Sequence, residues 1–206
     1  MHIEFEVEEP SAQAALENLV SKILEAGVSF HFNVFQGKAD LLNKLPGTLR
    51  GYSHWLPDDW RIVVLVDLDA GNCLRLKRFL EDAANDARLA SKSRTRPGER
   101  FQVLNRLAIE ELEAWFFGDT GALHRAFPRV PENLNKKAKY RDPDAIRGGT
   151  KEALERELRN RRYYPGGYLA IDAARTISQY MDPDKNESHS FQVFRDGLRE
   201  MARVQP

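Results

Sequence analysis

The chain has 206 residues, 42% hydrophobic and 30% charged, which is enough apolar material for a packed core and excludes a wholly disordered polymer. Lysine plus arginine equals aspartate plus glutamate at 31 each, so net charge gives no argument for or against a polyanionic partner. The one cysteine, Cys73, excludes an internal disulfide framework, and no apolar run approaches the roughly 20 residues that span a bilayer.

In chain order, "HIEFEVEE" alternates apolar and polar residues up to Glu8 and Glu9, the pattern of a strand. This acidic start has neither signal-peptide nor transit-peptide character, and the reading is a soluble cytoplasmic protein without membrane contact. "PSAQAALENLVSKILEAG" follows as a helix, with Ala15, Leu16, Leu19, Val20, Ile23 and Leu24 on one face and Gly27 closing it. "VSFHFNVFQG" reads as a second strand, and "KADLLNKLPGTLRGYSHWL" as helical pieces interrupted at Pro46. "RIVVLVDLD" is a near-continuous apolar run, as in a strand buried on both faces of a parallel sheet. "NCLRLKRFLEDAANDARL" is helical, with Leu74, Leu76, Phe79 and Leu80 expected to face apolar neighbours. "RFQVLNRLA" is a fourth strand, and "IEELEAWFFGDTGALHRAF" is helical with a break near Gly118. Beyond it, "KYRDPDAIRGGTKE" is a loop, and three helical stretches follow, the last of them "SFQVFRDGLREMARV" with Ser190 as its expected N-cap.

The alternation of strands and helices predicts an α/β fold with a mostly parallel sheet flanked by helices and a helical C-terminal region. The core is expected over residues 1–120 and the helical region over residues 121–206, packed together as a single compact domain overall. Phe191, Phe194, Leu198 and Met201 form an apolar face that belongs to the core or to a homo-oligomer contact, and core is the reading preferred.

Parallel sheets bind ligands beyond the carboxyl ends of their strands. Asp67 and Asp69 stand there after the most apolar strand, and Glu8 and Glu9 stand after the first. Alternation with period two would point Asp67 and Asp69 to the same side. Converging carboxylates repel, and a divalent cation relieves the repulsion. Oxygen-only donors favour Mg²⁺ or Mn²⁺ and suit phosphoryl or phosphodiester chemistry. The plainer alternative is that one aspartate caps the helix starting near Asn72. In "AIEELEAW", helical spacing would put Glu110 and Glu113 on one face, and the buried turn beyond brings Glu113 or Glu111 towards the core.

Basic residues cluster in two loops. Lys92, Arg94, Arg96 and Arg100 lie in the first, and Lys136, Lys137 and Lys139 in the second. Such loops hold phosphates, so DNA or RNA is the expected partner, although solvated surface is the competing reading. "RNRRYYPGGY" adds arginines among three tyrosines that could stack on unpaired bases.

A glutamate closing the first strand ("EVEEPS") with Asp-x-Asp closing a later one ("VLVDLDAG") resembles the acidic signature of a Toprim domain. "NRLAIEELEAWFFGD" and "SHSFQVFRDGL" resemble the Toprim-like family catalogued as domain of unknown function 4276. The resemblance covers most of the chain. It implies a Toprim-like fold similar to that of the overcoming-lysogenization-defect (OLD) type nucleases. It further implies a metal-dependent nuclease acting beside an ABC/SMC-like ATPase in bacterial anti-phage defence. By motif, Glu8 would be a metal ligand or general base, and Asp67 and Asp69 metal ligands. Glu111 and Glu113 would complete a second metal position, with Glu113 assisting catalysis. Two departures stand out. Glu9 and Pro10 replace the usual glycine after the first glutamate, and "GGYLAIDAAR" lacks a lysine common in relatives near the penultimate helix. A non-catalytic subunit of the ATPase complex, or a phosphoryl-transfer enzyme acting on a small phosphate, are the alternatives.

Overall fold

In the computed structural model, which describes residues 1–203, four strands pair side by side in one all-parallel sheet: β1 (His2–Val7), β2 (Ser29–Val34), β3 (Trp60–Asp67) and β4 (Val103–Ala108). Their order across the sheet is β2-β1-β3-β4. β1 pairs with both neighbours in parallel register, Val7 opposite Val34 on one side and Leu65 on the other. Eight helices complete an α/β fold, as the strand–helix alternation predicts. They are α1 (Pro10–Ile23), α2 (Lys38–Tyr52), α3 (Cys73–Asp86), α4 (Glu113–Phe117), α5 (Thr120–Ala126), α6 (Thr150–Asn160), α7 (Ala170–Ser178) and α8 (His189–Arg203).

The chain groups into two compact units. Of the described residues, one comprises 1–9, 24–107 and 194–203, and the other 10–23 and 108–193. The sheet with α2 and α3 lies in the first. Its interior strand β3 is buried from Arg61 to Val66, because β-branched and leucine side chains cover both faces. In the second, α1 packs on α7. The Lys22 ammonium donates to the carbonyls of Ser178, Gln179 and Met181 at 2.7–3.0 Å, neutralising the negative end of α7. Phe191, Phe194, Leu198 and Met201 of α8 are at most 1% exposed, so they are core.

Three local expectations change. Pro46 does not interrupt α2, which runs unbroken from Lys38 to Tyr52. Leu41, Leu45 and Leu49, fully buried at four-residue spacing, supply the packing that offsets a proline penalty of about 3 kcal/mol. Leu74 is 77% exposed and Phe79 38% exposed, so the first half of α3 shows its apolar residues to solvent and only its second half is anchored, through Leu80, Ala83 and Ala84. α8 begins at His189, and its cap is Ser188, whose Oγ accepts from the Phe191 N–H at 3.2 Å. Ser190 lies inside the helix, where its Oγ accepts from the Trp115 indole at 2.9 Å. Asp144 reaches the same helix start, accepting from the Ser190 N–H and from both serine hydroxyls at 2.8–3.0 Å.

Candidate functional site

The sheet order places a topological switch point between β1 and β3. The chain leaves β1 for β2 on one side, then returns to build β3 and β4 on the other. Crevices open at such reversals beyond the carboxyl ends of the strands. Glu8 and Asp67 occupy the two lips: a Glu8 carboxylate oxygen accepts from the Asp67 N–H at 3.3 Å. The two are therefore neighbours, as their positions at strand ends predict.

β3 ends at Asp67, and Asp69 sits in a left-handed turn at φ 50°. The two-residue alternation expected to align Asp67 with Asp69 therefore stops before Asp69; a turn sets its direction. Gly71 closes the turn, its N–H bonded to the Leu68 carbonyl at 3.0 Å. A Cβ on Gly71 would stand 2.8 Å from that same oxygen. Neither aspartate caps α3. Asn72 does, accepting from the Arg75 N–H at 2.9 Å.

Sequence reasoning missed the cation of this turn. The Lys38 ammonium donates to the carbonyls of Asp67 (2.6 Å) and Leu68 (2.9 Å) and to the Asp69 carboxylate (2.9 Å), using all three of its protons. Gly37, at φ 90°, makes the bend that delivers Lys38 here, and its N–H bonds the Glu8 carbonyl at 3.0 Å. The signal was present in "FQGKAD": a glycine and a lysine directly after β2, at the same edge of the same parallel sheet.

Glu8 is half-buried, and its carboxyl is pushed above the usual range. Burial is the main cause and the Asp69 carboxylate a further one, against the Asp67 N–H and Lys38, which favour the charged form. Among the described residues no group of three or more histidine, cysteine, aspartate or glutamate side chains is arranged to hold a metal ion. The oxygen donors near the switch point come from Glu8, Asp67 and the Lys38-bound Asp69. That set does not make an all-protein cage, but it fits Mg²⁺, which keeps several waters and takes substrate phosphate as a further ligand.

The later glutamates lie in the second unit. Glu110 adopts φ 60° and precedes α4, so the shared helical face expected of Glu110 and Glu113 does not form. The Glu111 carboxylate accepts from the Thr150 hydroxyl (3.1 Å) and the Lys151 N–H (2.8 Å), covering the exposed donors that begin α6. Glu113 is 5% exposed and accepts from the Tyr168 hydroxyl at 3.3 Å. Burial pushes Tyr168 above its ordinary range, with the Glu113 charge beside it.

Of the basic loop before β4, several members are committed internally. Lys92 pairs with Glu200 and lies over the Phe101 ring, Arg94 pairs with Asp82, and Arg100 donates to the Asp58 carbonyl. Arg96 is exposed. In the second basic loop Lys139 is held by Glu157 at 3.0 Å, while Lys136 and Lys137 are exposed. Lys136 and Lys185 border a cavity of about 600 Å³ in the second unit, with Asp119, Glu132 and Glu187 on its wall.

A buried acidic cluster, also missed, occupies one face of β1 and β2. The alternating "HIEFEV" and "SFHFNV" pair in register, Glu4 beside His31 and Glu6 beside Asn33. Glu4 accepts from Asn33 at 3.0 Å and hydrogen-bonds His2 and His31 at 3.1 Å each. Burial opposes its ionisation, but these bonds outweigh it and hold the carboxyl below its ordinary value. Glu6 is fully buried; one oxygen accepts from Asn33 (2.9 Å) and Tyr52 (3.0 Å) and the other has no partner. Burial raises its pKa to about 7.

Residues 7–199 match the sequence model of a family described as "Domain of unknown function (DUF4276)", and the chain belongs to that family. No curated protein and no solved structure gives a significant match. No helix among the described residues is long and apolar enough to cross a membrane.

Proposed function

We propose that this DUF4276 protein is a Mg²⁺- or Mn²⁺-dependent nuclease of Toprim type. In this reading it cuts DNA or RNA in the cytoplasm beside an ABC/SMC-like ATPase, in defence against phage. The observation that carries the chemistry is the Glu8–Asp67 contact across the switch point, beside the Asp69–Lys38 pair. The ATPase, the defence role and the likeness to OLD-type nucleases rest on the resemblance of the motifs quoted above.

Glu8, Asp67 and Asp69 would hold the cation, which when bound supplies charge for the phosphate and acidity for water. The Glu8 carboxyl, its pKa raised by burial, is a stronger base than an ordinary carboxylate and suits a group that takes a proton from water. Lys38 keeps Asp69 and the two carbonyls in place. Its three protons are all committed there, so Lys38 shapes the turn and offsets the charge of Asp69. Glu113, with Glu111, would serve a second metal position. Lys92, Arg94, Arg96, Arg100, Lys136, Lys137 and Lys139 would contact the nucleic-acid backbone, with Arg96, Lys136 and Lys137 carrying most of it because their heads are exposed.

A second reading draws on Lys38, since an internal cation already neutralises Asp69. On that reading the chain is a non-catalytic subunit that docks on the ATPase. Calorimetric titration of Mn²⁺ into wild-type protein, Glu8→Gln and Asp69→Asn, repeated with a short oligonucleotide present, separates the two. The nuclease reading expects binding that strengthens with the oligonucleotide and disappears in both variants. No Mn²⁺ binding under either condition would sink it and leave the docking subunit.

A further inference from the structure

We propose that the end of α6 and the loop after it form a pocket for one unpaired base of a single-stranded nucleic acid. The pocket, about 210 Å³, lies in the second unit and is lined by Leu158, Arg159, Tyr163, Tyr164, Pro165 and Tyr168, with Glu155 at its border. Aromatic and apolar walls with one cationic side chain suit a flat ring carrying a phosphate, which is a nucleotide.

Three features make the pocket look built. The loop holds backbone angles that side chains rarely adopt, Arg162 at φ 61° and Tyr164 at φ 52°, with Gly167 at φ 117° beyond them. Such strain persists where surrounding contacts impose it, and it concentrates at binding sites. The tyrosine rings are fixed by their hydroxyls. Tyr164 donates to Asp172 at 2.7 Å and Tyr168 to Glu113 at 3.3 Å, and burial followed by the neighbouring carboxylates keeps both phenols protonated. The rings are also braced: Phe127 meets Tyr163 edge-on at 4.9 Å and Tyr164 at 5.8 Å, and the Arg129 guanidinium lies 4.0 Å from the Tyr163 ring centre. Tyr163 is thus occupied on its own account. Tyr164 and Tyr168, 6.1 Å apart and near perpendicular, present partly exposed rings as a corner against which a base can stack.

Arg159 stands beside this corner. Its ion pair with Glu155 is loose, at 3.5 Å, and its side chain is 69% exposed. It can turn to a phosphate at little cost. Arg161 is different, since Glu157 holds it at 2.6 Å.

The inference takes from the proposed function only that the ligand is nucleic acid. Its test omits divalent metal, so failure of the nuclease reading and failure of this one are distinguishable. Full-length protein is titrated, in EDTA, into a pentanucleotide carrying 2-aminopurine at its centre, in deoxyribose and ribose forms. Saturable quenching in either form is expected, and the preferred form identifies the sugar. Tyr164→Leu should weaken binding about tenfold, while Tyr164→Phe, which keeps the ring, should bind like wild type. Arg159→Gln should weaken binding and flatten its salt dependence. Against wild-type protein, an oligonucleotide with an abasic central position should compete about tenfold less well than its intact parent, a comparison that needs no variant to fold. Equal competition by the abasic strand overturns the proposal. So does quenching that Tyr164→Leu leaves unchanged, or a proline-rich peptide that binds through Tyr164 when the oligonucleotides do not.

Discussion

β1 and the residue after it carry three glutamates within five positions, and they have two different fates. Glu4 and Glu6 stand inside the sheet, enclosed by Asn33, Tyr52 and two histidines. Glu8 stands one residue past the strand, half-buried, with a backbone N–H on one side and a lysine-held aspartate nearby. The interior pair is bound by its own partners and spends its polarity on the fold. The edge residue faces the switch point and retains the capacity to bind something else. Under the proposed function, position along a strand, more than residue type, separates structural acid from chemical acid.

The comparison sharpens first through Glu6. Its carboxyl has an ordinary value near 4.5 in the unfolded chain and about 7 in the fold. The folded state therefore holds a proton that the unfolded state releases, and Glu6 makes stability fall as pH rises from about 4.5 through about 7. The full span is at most about 3 kcal/mol. Glu6→Gln should abolish that slope, so urea midpoints of wild type and variant should diverge between pH 5 and pH 8. Parallel curves would mean that Glu6 is ionised throughout and that an undetected partner meets its second oxygen.

On the proposed nuclease reading, Glu8→Gln should do the reverse, lowering activity on the order of a hundredfold (roughly 2.7 kcal/mol in barrier) while moving the melting temperature little. The same raised pKa requires Mn²⁺ affinity to climb with pH as Glu8 loses its proton, because only the carboxylate is a ligand. Calorimetry at three pH values checks the sign. A large fall in melting temperature with unchanged chemistry would move Glu8 into the structural class.

Lys38→Met probes the border between the classes. It removes three hydrogen bonds from the Asp67–Asp69 turn and should cost about 1–2 kcal/mol in chemical denaturation. It also removes a charge that favours ionised Glu8, so the pH midpoint of Mn²⁺ binding should move upward. The smallest effect belongs to Leu74→Ser, expected to change stability by no more than about 0.5 kcal/mol because Leu74 is 77% exposed.

The strand sequence was legible because "RIVVLVD" and "VLNRLA" carry β-branched and apolar runs that fit no other element of their length. Glu8 and Asp67 were legible because strand ends in a parallel sheet converge. Lys38 was not, because no strand ends at it: the bend at Gly37, which periodicity does not reveal, carries it to the turn. Glu4 and Glu6 were hidden by their own alternation, which reads as a wet face. Only the strand register, which sets His31 and Asn33 beside them, shows that face to be internal. Pro46 misled because local penalty was weighed without the leucine stripe that outweighs it. Much of the chemistry of "SHSF" is capping: Ser188 and Asp144 satisfy the start of α8.

The Lys22 clasp on α7 sets an order of events during synthesis. Lys22 and Ser178 are 156 residues apart in sequence. At a translation rate of about 5–20 residues per second, the carbonyls that receive Lys22 leave the peptidyl-transferase centre roughly 8–30 seconds after it does. For that interval α1 is without its partner helix, although all four strands are synthesised before it ends. The nascent chain thus passes through a stage with an unpartnered amphipathic helix, the kind of segment that holding chaperones recognise.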